Sequence, residues 1–210
     1  MWRCGLGCFY EVRSTKLEVR SFYSGFGSYD SKIINSYLET VITFLESHNN
    51  SLTVCDLGCG DFNIGKHLTK YSKTYIAIDI VENLINRNKN LYKEDHLEFF
   101  CLDISKDELP PADCIILRQV LQHLSNAEIH KVINKMGIYK YAILTEHLPL
   151  GNFIPNKDII AGQGIRIKQN SGVDVLASPF LLKIKEEKIL NEHIQKNNKG
   201  RLLTTLYQIF

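Results

Sequence analysis

Val54-Cys55-Asp56-Leu57-Gly58-Cys59-Gly60-Asp61-Phe62-Asn63-Ile64-Gly65 decides the reading of this chain. Leu52 to Leu57 is apolar and β-prone apart from Cys55 and Asp56, and it breaks at Gly58, which predicts a buried strand running into a glycine turn. From Asn63 to Tyr71 the residues Ile64, His67, Leu68 and Tyr71 recur at helical spacing, which predicts a helix after the turn. Glycines let backbone approach a ligand with no Cβ between. The start of a helix offers unpaired N–H groups. Strand, loop and helix therefore read as a ligand site. The plainer reading is a tight turn that binds nothing.

The residue types restrict the ligand. A dinucleotide fingerprint needs a third glycine three residues after Gly60, for close helix packing, and Asn63 stands there. Asp56 places a carboxylate two residues before Gly58. That charge disfavours a pyrophosphate and suits an ammonium or a sulfonium. A second apolar strand, Thr74-Tyr75-Ile76-Ala77-Ile78-Asp79-Ile80, ends in an acid. Asp79 follows Gly58 by 79 − 58 = 21 residues, close to the ~20-residue spacing at which an acid reaches a ribose in a βαβ unit. Asp79 also suits an N-cap for a helix beginning near Val81, and the two roles are compatible. A third strand, His96 to Leu102, ends at Asp103-Ile104, and a fourth, Asp113 to Leu117, runs into Arg118-Gln119-Val120-Leu121-Gln122-His123-Leu124.

These four motifs, in this order, resemble those of the class I S-adenosylmethionine-dependent methyltransferases. The resemblance extends over roughly residues 20 to 210 and is nearest to an uncharacterised bacterial branch with a GCGDF-type loop. It implies a Rossmann-like, doubly wound α/β fold: a mostly parallel seven-stranded sheet closed by a C-terminal antiparallel strand pair. It implies S-adenosylmethionine as cofactor, held by Asp56, Gly58, Cys59, Gly60, Asp79, Ile80, Asp103, Ile104, Arg118 and Gln119. By that resemblance Asp103 accepts the adenine amino group and Ile104 offers its backbone N–H. The expected activity is methyl transfer to an unidentified acceptor, with a small molecule preferred over a protein side chain. Two alternatives stand beside it: a methyltransferase fold that binds ligand or partner without catalysis, and an NAD-dependent oxidoreductase. No Asn-Pro-Pro-aromatic segment follows the fourth strand, which argues against amino-methylating DNA enzymes.

The 210 residues suit one domain with a substantial core. We expect residues 31–210 to form it, preceded by an N-terminal segment, 1–30. The sequence has 25 basic and 23 acidic side chains, a net charge of +2, and gives no electrostatic footprint for nucleic acid. No apolar run approaches a membrane span, and the N-terminus is a poor signal peptide, so cytoplasm is the default. None of the spacings among the six cysteines resembles a zinc knuckle, so no metal is expected. Cys55, Cys101 and Cys114 fall in or at the end of strands expected to be buried. Phe22 to Asp30 alternates aromatics with small residues and reads either as a connector or as a lid over the cofactor.

Ser31 to Ser47 is an amphipathic helix with Ile34, Tyr37, Leu38, Val41, Phe44 and Leu45 on one face, capped by Asp30 or Ser31. A helix near Val81–Tyr92 carries Leu84, Ile85 and Leu91; another, from about Asn126 to Met136, has Ser125 and Glu128 spaced as a capping box. Tyr139 to Thr145 is a fifth strand, ending at Glu146-His147. Alternation of this kind gives a parallel sheet with ligands at the carboxyl ends of its strands. Ile165-Arg166-Ile167 is β-like, and Leu181–Lys185 and Leu202–Ile209 read as two final strands.

A sulfonium methyl is already activated, so transfer needs chiefly proximity and alignment, plus a base if the acceptor carries a proton. Candidates for that base are Glu146, His147 and His123, the last of which equally suits a bond to a backbone carbonyl. Pro155 to Arg166 is longer than an ordinary connection. Its isoleucines are expected to anchor it and to aim Asp158 and Arg166 over the acceptor, where they either pair or touch substrate; the alternative is a solvated loop.

Overall fold

The computed structural model describes residues 30–162, 166–195 and 200–210. Cys4, Cys8 and the stretch Phe22 to Tyr29 lie outside the described residues. The chain runs α1 (Ser31–Ser47), β1 (Thr53–Leu57), β2 (Thr74–Asp79), α2 (Glu82–Leu91), β3 (Leu97–Cys101), β4 (Cys114–Arg118), α3 (Asn126–Met136), β5 (Tyr141–Leu148), β6 (Glu186–Ile194) and β7 (Arg201–Gln208). The strands form one sheet in the order β3-β2-β1-β4-β5-β7-β6. β1 to β5 are parallel, and β7 runs antiparallel to both β5 and β6.

Strand period sorts the side chains onto two faces. Cys55, Leu57, Ile76, Ile78, Ile115 and Leu117 pack with Ile129, Val132, Ile133 and Met136 of α3. Val54, Tyr75, Ala77, Ile116 and Ile143 pack with Tyr37, Val41, Phe44 and Leu45 of α1. The same period carries Asp56, Asp79, Arg118 and His147 to the α1 face and Glu146 to the α3 face. α1 is capped by Asp30, whose carboxylate accepts from the N–H groups of Lys32 and Ile33. Ser125 and Glu128 form the expected capping box on α3.

Several expectations need correction. No α-helix follows the glycine loop; Gly65–His67 and Thr69–Tyr71 are two short 3-10 turns closed by i→i+3 bonds. A helix N-terminus is therefore not what meets the ligand there. Leu91 is 58% exposed, because it lies at the frayed end of α2 beyond the sheet. Cys101 is exposed because β3 is an edge strand. Leu181–Lys185 is irregular, and the outer strand is Glu186–Ile194 instead. Edge position explains the miss: Ile189 and Ile194 are both exposed, so apolar periodicity does not mark this strand. Arg166–Gln169 is a 3-10 turn and not a β-like run.

Candidate active site

The glycine loop is fixed by backbone polar groups at the carboxyl ends of β1 and β2. The N–H groups of Gly58 and Cys59 both donate to the Ile78 carbonyl, at 2.8 and 2.9 Å. Gly60 donates its N–H to Asp79 Oδ2 at 3.1 Å and receives Asn88 Nδ2 on its carbonyl at 2.8 Å. Gly58 and Gly60 have φ of +88° and +58°, a region that favours glycine. A Cβ on Gly58 would lie 2.5 Å from Val120 Cγ2, so glycine there lets the turn after β4 approach. Phe62 also has positive φ, +63°, and its buried ring meets Tyr75, Tyr92 and Phe99 edge-on at 5.8, 5.1 and 4.9 Å. A Cβ on Gly65 would lie 2.4 Å from that ring. Close packing, which a dinucleotide site assigns to a glycine at position 63, is here done by Gly65 against Phe62.

Asp79 is buried. Beyond Gly60, its Oδ1 accepts from Val81 N–H at 3.0 Å. It is not the cap of α2; Val81 holds that position and makes no side-chain cap bond. Burial raises its pKa to about 6, against the lowering effect of the backbone N–H groups. Ile80 is half-buried. Asp103 accepts from Ser105 N–H and Oγ–H and pairs with Lys106 Nζ at 2.7 Å. Burial opposes its ionisation, but these bonds win and hold its pKa low. Ile104 is a core residue whose carbonyl receives Lys135 Nζ at 2.9 Å.

Asp56 sits under α1, where Tyr75 donates its hydroxyl to Oδ2 at 2.9 Å. Arg118 stacks over the Tyr37 ring, with Cζ 5.1 Å from the centroid. The Tyr37 hydroxyl is buried and has no hydrogen-bond partner among the described residues. Burial lifts Asp56 to a pKa of about 7, against the lowering effects of Tyr75 and Arg118. A carboxyl whose folded pKa lies above its unfolded value binds more protons folded, so its contribution to stability falls as pH rises. The window runs from the ordinary value near 3.8 to about 7. Asp56→Asn is therefore expected to melt higher than the wild type at pH 8, with the difference shrinking towards pH 4, as thermal unfolding across that range would read. A wild-type advantage at pH 8 would mean that the ionised Asp56 is stabilising.

After β4 the chain turns sharply. Gln119 has φ of +57° and donates its N–H to the Thr145 carbonyl at 2.7 Å. Glu146 is buried and accepts from the N–H groups of Leu121 and Gln122, at 3.2 and 3.0 Å. Burial raises its pKa to about 8, opposed by those N–H groups and by Arg166. It points away from the face that carries Asp56 and Arg118. His123 is buried, with Nε2 3.2 Å from Gln122 Nε2, and its backbone carbonyl accepts from Gly162 N–H. Burial lowers its pKa, Gly162 opposes the shift, and Arg166 adds to it. His147 is half-buried on the Asp56 face; its backbone N–H donates to Gln122 Oε1. Its Nε2 is 2.8 Å from where a Cβ on Gly200 would stand.

The segment after β5 departs from expectation. Ile160 is 93% exposed and anchors nothing, and Ile165 lies outside the described residues. The anchors are polar. Asn156 is buried, donates to the carbonyls of Asp174 and Ser178, and accepts from Asp174 N–H. Arg166 is 1% exposed and donates to the carbonyls of Lys157, Gln122 and Leu124 and to Asn126 Oδ1. Asp158 Oδ1 accepts from the N–H groups of Asn126 and Ile159. Asp158 and Arg166 thus do not pair with each other, and Arg166 is too deeply buried to touch substrate.

Comparison with known proteins bears on this arrangement. Residues 55–138 match the methyltransferase domain family. Phosphoethanolamine N-methyltransferase of Triticum aestivum is 27% identical over 103 residues, 46% of this chain and 20% of that protein. Carboxy-S-adenosyl-L-methionine synthase of Vibrio atlanticus is 28% identical over 111 residues, covering 50% and 46% of the two chains. The chain spans less than half the length of these curated relatives. The N-methyltransferase NodS of Bradyrhizobium japonicum, solved with S-adenosyl-L-homocysteine, superimposes with a TM-score of 0.60 at 14% identity over 85% of this chain and 89% of that one. Residues 55–138 are thus similar to a methyltransferase domain, and the chain shares its fold with the solved N-methyltransferase NodS.

The motif residues of this chain lie at the carboxyl ends of β1, β2, β3 and β4. Their supports were not evident in the sequence. Asn88 is fully buried one turn after Leu84 and Ile85, and a polar residue in the apolar stripe of a helix is the signal that marks it. Tyr75 and Gln122 gave no such signal.

Proposed function

We propose that this chain is an S-adenosylmethionine-dependent methyltransferase acting on a small-molecule acceptor. The observation that carries the reading is the left-handed Gly58–Gly60 loop beside the buried acids Asp56 and Asp79, at the β1 and β2 ends of a sheet ordered 3-2-1-4-5-7-6. The loop fits such a donor: Gly58 and Gly60 hold left-handed backbone beside the buried carboxyl of Asp79. When bound, the donor supplies an activated methyl on a sulfonium.

Asp79, with Ile80, receives the ribose hydroxyls, and Asp103 and Ile104 border the adenine. Gly58, Cys59 and Gly60 line the backbone side of the donor. Asp56 places its carboxyl group on the same face as Arg118 and the Tyr37 hydroxyl, which has no hydrogen-bond partner among the described residues, and Gln119 turns the chain away from β4. His147 shares that face and is the residue we assign to accept a proton from the acceptor. Glu146 and His123 are committed to the turn after β4. Residues 31–210 act as one domain, which the single continuous sheet supports.

Titration calorimetry with S-adenosylmethionine, S-adenosylhomocysteine and NADH tests the reading. We expect both adenosyl ligands to bind and NADH not to. Preferential binding of NADH would sink it.

A further inference from the structure

The turn from Leu121 to Asn126 is gripped from two directions by a buried carboxyl group and a buried guanidinium. Glu146, from β5, takes the N–H groups of Leu121 and Gln122. Arg166, from the segment after β5, faces the carbonyls of Leu121 and Gln122 at 3.5 and 3.3 Å and that of Leu124 at 2.8 Å. No ion pair joins Glu146 to Arg166 among the described residues. The peptide groups between them turn N–H ends to the carboxyl group and carbonyl ends to the guanidinium. A guanidinium presents five donors in a fixed planar fork, whereas an ammonium is a compact point charge with three.

We propose that Glu146 and Arg166 are a pair of positioning residues that set the turn after β4 against the donor pocket, so that the segment after β5 governs donor-side geometry. This rests on the function proposed above. The route is steric. Val120 directly precedes the gripped residues, and its Cγ2 occupies the space next to Gly58, 2.5 Å from where a Cβ there would stand. On its other side Gln119 holds a left-handed φ and bonds to Thr145 of β5. Slack in the turn therefore moves Val120 against the glycine loop. Lys157 ties the grip to the rest of the segment after β5, since its carbonyl accepts from Arg166 Nε at 2.8 Å.

The test uses the full chain as wild type, Glu146→Gln, Arg166→Lys and the double variant. Three quantities are measured: melting temperature, amide hydrogen exchange at Leu121 and Gln122, and affinity for S-adenosylhomocysteine by calorimetry. Each single variant is expected to speed exchange at those two amides and to weaken the ligand about tenfold or more. The double variant should be no weaker than the poorer single, because the two grips act on one element. Arg166→Lys keeps the charge, so its failure to rescue separates fork geometry from charge. Should Arg166→Lys melt below the assay temperature, Glu146→Gln, which keeps size and one acceptor oxygen, decides alone. Faster exchange with affinity within twofold of wild type would overturn the donor-side role. Unchanged exchange would overturn the grip itself. A wild-type chain that binds no S-adenosylhomocysteine would overturn the proposed function and the donor half of this inference, while exchange would still decide the grip.

Discussion

Gly60→Val is expected to weaken S-adenosylhomocysteine by roughly a hundredfold or more, beyond what calorimetry resolves at ordinary concentrations. Two effects act together. The Gly60 φ of +58° is a conformation that a β-branched residue resists, and holding an L-residue there costs about 1–2 kcal/mol. The peptide cannot relax freely, because its N–H is bound by Asp79 and its carbonyl by Asn88. The valine methyls also add bulk to the loop proposed to line the donor. Gly60→Ala carries most of the backbone cost with less bulk and is expected to fall between wild type and valine. The sheet and both cores lie below the loop, so far-ultraviolet circular dichroism should be unchanged. A Gly60→Val chain that bound within threefold of wild type would show that this loop does not face the donor.

Phe62→Ala carries the largest expected loss of stability. The ring is fully buried and is enclosed by Tyr75, Tyr92 and Phe99 from β2, the end of α2 and β3. Truncating a buried Phe costs about 3–5 kcal/mol through lost transfer and the cavity left behind. The Gly65 backbone, which closes on the ring, cannot fill that space from its own side because it carries no side chain. Urea unfolding should show the loss as a lower midpoint with an unchanged slope. The loop between Gly58 and Gly65 would lose its anchor, so donor affinity should fall in the same variant. A loss under about 1 kcal/mol would mean that the ring site collapses or is wet.

Much of the fold was legible because its periodicities are local. The β1, β2 and β4 runs are apolar and end in Gly, Asp or Arg, and α1 and α3 carry apolar stripes with a cap residue at the start. The acids at 56 and 79 stood out for the same reason: each interrupts or ends a run that burial would otherwise keep apolar. What the sequence misjudged lies where burial is not local. The run from Asn63 to Tyr71 has helical spacing, yet Phe62 turns left-handed to drive its ring into the core, and the chain continues in two tight turns. The outer strand β6 has no buried face to pattern it.

The sequence by itself therefore determined the order of the elements from α1 to β5, apart from the turns after the glycine loop, and which strand ends carry the polar residues. Those follow from hydrophobic spacing and turn chemistry along a few neighbouring positions. Only the tertiary structure decided which of those polar residues face a ligand and which serve the scaffold. Glu146 and His147 are adjacent in sequence, yet the alternation of β5 sends one to the α3 face, under the turn it holds, and leaves the other on the face of Asp56. Arg166 reads as a solvent or substrate cation until its partners are seen. They include backbone carbonyls some forty residues away, whose direction no side-chain pattern records.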